Sequence, residues 1–152
     1  MTKKTLLTMI AAVMTSLVLA AILYAGTTVP DSFEMKTKEY SEHTYNLVPF
    51  SHKKHAVEYK ATCGDCHHDD KGKPLANLKE GDDVKRCIEC HKKPGRTPKG
   101  SKLKGKEARE YHAEAMHDNC KECHKTFNKG VKDKADKAPT SCNDCHPGGK
   151  KK

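Results

Sequence analysis

The chain has 152 residues, room for one modest domain once an export segment is set aside. Only 35% of them are hydrophobic, with three Phe and no Trp, and the mean hydropathy is −0.86; a conventional side-chain core would be thin, and other apolar mass must fill the interior or the chain stays disordered. The 29 Lys and Arg against 20 Asp and Glu give a net charge of +9, yet aromatics are sparse and no interleaved Arg/aromatic pattern occurs, which argues against nucleic acid.

Residues 1–26 read as a signal peptide. Lys3 and Lys4 make a basic start, Leu6 to Tyr24 is an apolar run broken only by Thr8, Thr15 and Ser16, and Ala20 and Ala25 end passable cleavage sites. The run is also close to membrane-spanning length, so an uncleaved single-helix anchor is the alternative. Either way residues 27–152 form the working domain outside the cytoplasm, and nothing in them is apolar enough to insert into a membrane after cleavage.

Thr27 to Glu42 carries no recognisable signal. A small hairpin is expected near Tyr45 to Phe50, and a helical piece over Lys53–Tyr59. The first Cys-x-x-Cys-His word follows as Cys63-Gly-Asp-Cys66-His67, and the second is Cys87-Ile-Glu-Cys90-His91. Pro94 to Lys106, rich in Lys, Gly and Pro, reads as a solvated loop. Lys106 to Asp118 has helix-forming Glu and Ala residues and leads into Cys120-Lys-Glu-Cys123-His124. A helical stretch within Lys129–Lys137 precedes the last word, Cys142-Asn-Asp-Cys145-His146. The fold class is therefore mostly irregular, with a few short α-helices and a minimal β-hairpin around a cofactor cluster.

The repeated word uses all eight cysteines. Single Cys-x-x-Cys pairs serve redox disulfides, and paired units hold zinc or iron–sulfur clusters, but none of these needs His directly after the second Cys. With 10 His in the chain, chance would place one there all four times with a probability of about two in a hundred thousand; the word is the attachment signature of c-type haem. Two thiols three positions apart can bond both vinyl groups, and the next residue sits under the iron as proximal ligand. Four haem c groups would supply the missing apolar mass.

Beyond His67, His91, His124 and His146 there remain His43, His52, His55, His68, His112 and His117. Past the signal only Met35 and Met116 offer thioether ligands, so histidine alone can fill every distal position. Bis-His ligation favours ferric iron and low potentials. Filled axial positions favour a carrier over a catalyst. His112 and His117 are five apart and face about 140° away from each other on a helix, so one of the two should reach a given iron.

At this level of detail the chain resembles the tetrahaem cytochrome c3 family (class III cytochrome c) from Val48 to His146. The marks are Phe50-Ser-His52-Lys-Lys-His55, the doubled His67-His68, and Met116-His117-Asp118 before the third word. The resemblance implies that His52 pairs with His67, His68 with His91, His55 with His124 and His117 with His146. It implies a periplasmic shuttle of anaerobic, sulfate-type respiration, taking electrons from hydrogenase or formate dehydrogenase to membrane-bound redox complexes. Many members space two of the four words more widely than this chain does. Lysines 121, 125, 129, 132, 134, 137 and 150–152 form either a solvated face or a rim that steers an acidic partner. A reductase enzyme and a subunit of a larger redox complex are the competing readings.

Overall fold

The computed structural model describes residues 29–151, so the signal-peptide reading of 1–26 and the boundary after it lie outside the described residues. Contacts group Val29–Glu80 with Val84–Lys152, and the architecture below is that of this unit.

Strand β1 (Phe33–Glu34) pairs antiparallel with β2 (Pro49–Phe50), Phe33 opposite Phe50. The two rings meet edge to face with centroids 5.5 Å apart, the kind of cross-strand aromatic pair that holds so short a ladder. The expected hairpin thus has its second strand at Phe50, but its partner is Phe33, across a long connection. Tyr45 instead bridges Lys150 near the C-terminus. There the backbone of Asn46 donates to Gly149 (3.1 Å) and that of Lys151 to Thr44 (2.9 Å), strapping the tail onto residues 44–46.

Helix α1 (Lys54–Glu58) falls inside the expected 53–59 but winds as a π-turn, with Tyr59 N–H bonded to the Lys54 carbonyl at 3.0 Å. Lys60, in the left-handed region at φ 57, ends it. Three Cys-x-x-Cys words form single turns: α2 (Cys63–Cys66), α3 (Cys87–Cys90) and α6 (Cys142–Cys145). One isolated turn is unstable in water, so each needs outside support.

The expected helix over 106–118 is two. Helix α4 (Gly105–Ala108) stops, and α5 (His112–Asn128) begins and runs on through the third word. The break comes from pairing with another segment. His112 N–H donates to the Lys93 carbonyl (2.7 Å), Ala113 N–H to Gly95 (3.0 Å), and Lys93 N–H to Glu110 (3.0 Å). Those carbonyls satisfy donors that open the first turn of α5. The loop after Pro94 is accordingly tied down at its start, where Arg96 and Thr97 grip Glu114. A 3₁₀ turn at Lys134–Asp136 lies within the expected 129–137 stretch.

Among the described residues the buried apolar side chains are Ile88 of α3 and Ala115 of α5, with His112 buried beside them. That is far too little to order this chain, as the composition implied. No helix of the described residues is long and apolar enough to cross a membrane.

Candidate functional site

Each Cys-x-x-Cys turn puts its two thiols on neighbouring positions of one helical face, and the His after it folds back on the same turn. His67, His91 and His146 each donate their backbone N–H to the first Cys of their word at 2.8 Å. The residue before the second Cys is acidic in all four words. In α2, α3 and α6 it reaches back to the helix-capping backbone N–H: Asp65 to Thr62 (2.7 Å), Glu89 to Arg86 (2.9 Å) and Asp144 to Ser141 (3.2 Å). In the third word, inside α5, no free end exists, and Glu122 pairs with Lys125 instead (2.6 Å). These carboxylates were missed by the sequence reading, although the repeated acid was the signal. Gly64 serves a different need: a Cβ there would lie 3.3 Å from the Leu75 backbone.

None of the eight cysteines is in a disulfide, so each pair is available for attachment. Burial pushes the Cys120 thiol up to about 11, with the thiols of Cys66, Cys145 and Cys87 adding to it. Burial likewise raises Cys66 and Cys87.

The imidazoles assemble around these turns in pairs. His55 faces His124 with ring centroids 6.2 Å apart and planes at 22°. His68 faces His91 at 5.9 Å and 68°, and His117 faces His146 at 6.4 Å and 70°. His67 is held below the usual histidine range by burial first, then by nearby His52 and His68. Phe50 lies between two sites, edge-on to His52 at 6.2 Å and tilted over His55 at 4.7 Å.

Five of these rings share a second feature, a bond from Nδ1 to a backbone carbonyl. His55 bonds Ser51 (2.8 Å), His68 bonds Asp69 (2.7 Å), His124 bonds Pro139 (2.6 Å), His146 bonds Asn46 (2.6 Å), and His91 bonds Arg109. A carbonyl can only accept, so the proton sits on Nδ1 and the Nε2 lone pair is left for a metal. Local structure sets up each acceptor. Asn128, for example, bonds both backbone groups of Ala138 (2.8 and 2.9 Å), placing the next carbonyl, that of Pro139, over His124.

His112 is built differently. It is 8% exposed, and its Nδ1 takes the hydroxyl of Tyr40 at 2.9 Å. His91 is among the groups that lower its pKa, after burial; His146 is not, whereas His117 stands against His146. His43 is half-buried and stacked on Tyr40 at 5.1 Å. Glu39 and Tyr40, in the stretch before Glu42, thus support the sites structurally. Tyr40 covers His112, and Glu39 pairs with Arg86 beside the second word at 2.9 Å.

The residues fit c-type haem. Two imidazoles binding one metal ion at about 2.0–2.1 Å through nitrogen have ring centres about 6 Å apart, the separation of the three measured pairs. The family model describing the class III cytochrome C family matches residues 29–146. The chain belongs to the class III cytochrome c family. Class III cytochromes c are multihaem electron-transfer proteins with covalently bound haem c, and the short helices, two-stranded ladder and irregular remainder here accord with their fold. No curated protein and no solved structure gave a match.

Proposed function

We propose that this class III cytochrome c carries four haem c groups, one on each thiol pair, with axial imidazoles His52 and His67, His68 and His91, His55 and His124, and His117 and His146. Its role is that of a low-potential periplasmic electron carrier between hydrogenase or formate dehydrogenase and membrane redox complexes. The observation that carries this reading is the facing of imidazoles about 6 Å apart beside thiol pairs, five of the six rings having Nδ1 tied to a backbone carbonyl so that Nε2 can bind metal.

Bound haem supplies reversible one-electron exchange at its iron. The chain's residues do the rest. The thiols would hold the haem covalently and the paired imidazoles would bind its iron, which would leave no position for an incoming substrate. The Nδ1–H···O=C bonds raise ligand basicity and hold the oxidised state. Lys121 acts on both His117 and Cys145, placing positive charge at the fourth site, where an acidic partner would be drawn.

Intact mass with a pyridine haemochrome assay tests the count and the fate of residues 1–26. Four haems per chain, six-coordinate low-spin spectra, and electron exchange with hydrogenase that slows as salt rises are expected. Fewer haems, or a high-spin iron in the native protein, would refute the assignment; rates independent of ionic strength would remove the steering lysines from it.

A further inference from the structure

An Nδ1–H bonded to an acceptor strengthens the donation of Nε2 to iron and so stabilises the ferric state. His55, His68, His91, His124 and His146 all have that bond. His117 does not. Its Nδ1 is buried from solvent and has no hydrogen-bond partner.

The neighbourhood explains why. His117 projects from the second turn of α5, where the backbone carbonyls serve the helix's own ladder. The nearby carboxylate, Glu114, is one turn earlier on the same helix, close enough to influence His117 electrostatically. It is engaged elsewhere. Arg96 binds it through two nitrogens at 3.1 and 3.3 Å, and Thr97 donates to it from its backbone N–H (3.3 Å) and its hydroxyl (3.2 Å).

Resting on the reading that His117 and His146 share one iron, we infer that His117 is kept a weak axial donor because Arg96 and Thr97 hold Glu114 away from its Nδ1, which sets the reduction potential of the fourth site above the value an acceptor would give. His117 is the ligand. Glu114, Arg96 and Thr97 are positioning residues that act through it.

The test compares two holoprotein variants of equal charge. Arg96→Met/Thr97→Val/Glu114→Gln loosens the grip and offers His117 a neutral amide oxygen, whereas Arg96→Met/Thr97→Val/Glu114→Ala offers no acceptor. In an NMR-resolved redox titration the first should favour the oxidised fourth haem by roughly tenfold over the second, about 59 mV for one electron. Equal potentials, or the reverse order, would overturn the inference. The wild type gives an independent measurement: in reduced protein with ¹⁵N-labelled histidine, the His117 Nδ1–H should be less downfield and exchange faster than those of His55, His124 and His146. A His117 signal as downfield and protected as theirs would also overturn it. Haem content and spin state are read on the same samples; four low-spin haems with either negative result would sink the inference alone, and fewer would sink the ligand assignment beneath it.

Discussion

Tyr40→Phe in the holoprotein isolates one buried bond. The hydroxyl of Tyr40 lies 2.9 Å from His112 Nδ1, and His112 is 8% exposed. Removing the oxygen leaves that nitrogen buried without a donor. A buried polar group left unsatisfied costs about 1–3 kcal/mol, and in a domain of this size each kcal/mol lowers the melting midpoint by about 4 °C. His112→Ala should cost at least as much, since it also opens a cavity. Because the two share one bond, the double variant should cost less than the sum of the singles by about 1 kcal/mol. Guanidinium unfolding followed through the Soret band measures all three. Singles that add to the double within about 0.5 kcal/mol would refute the bond's role. All three variants should stay fully low-spin; a high-spin iron in His112→Ala would make His112 a ligand. The pH profile adds a signature. Burial, then nearby His91, lowers the His112 pKa from 6.5, so its contribution to stability is present above that value and lost as pH falls through the lowered one. That part of the slope should vanish in His112→Ala.

Replacing Cys142 and Cys145 together by Ser should remove one of the four proposed haems, cutting pyridine haemochrome absorbance by about a quarter at equal protein concentration, since thioether attachment needs those thiols. His117→Ala should leave one iron with an open axial position that binds carbon monoxide in the reduced state, while His43→Ala should leave the visible spectrum unchanged. Gly148→Ala should lower stability by about 1–2 kcal/mol in thermal unfolding, because φ +78 is left-handed and the new Cβ would lie 2.7 Å from the Asn46 side chain, next to the carbonyl that holds His146. Acid should weaken the haem-bearing turns. Glu89 is held below 4.5 and Asp144 below 3.8 by their capping bonds, so their stabilisation is complete above those values and lost as pH falls through the lower folded ones. Glu89→Gln and Asp144→Asn should flatten that acid limb of the unfolding profile.

Chemistry held in neighbouring residues was legible in the chain. The Cys-x-x-Cys-His words occupy one helical turn each, so thiol spacing and proximal imidazole follow from local geometry alone. The thin core was equally legible from composition, and Ile88 and Ala115 are its remnant in the described residues. Helix boundaries were less so: nothing within 106–118 announces that Lys93 and Gly95 will capture the donors of His112 and Ala113 and divide the helix. The role of the stretch before Glu42 was likewise hidden, because Tyr40 and Glu39 act on partners far along the chain.

By itself the sequence marked the thiols and the adjacent imidazoles suited to hold haem, since that word is a matter of a few consecutive residues. Which imidazoles meet was implied only by family likeness, and the tertiary structure alone decided the rest. The facing of His55 with His124 and the carbonyls beside Nδ1 of His91, His124 and His146 depend on segments as much as a hundred residues apart, as with Asn46 and His146. A hydrogen bond acts over about 3 Å, and only the folded path of the backbone brings such distant groups within that range.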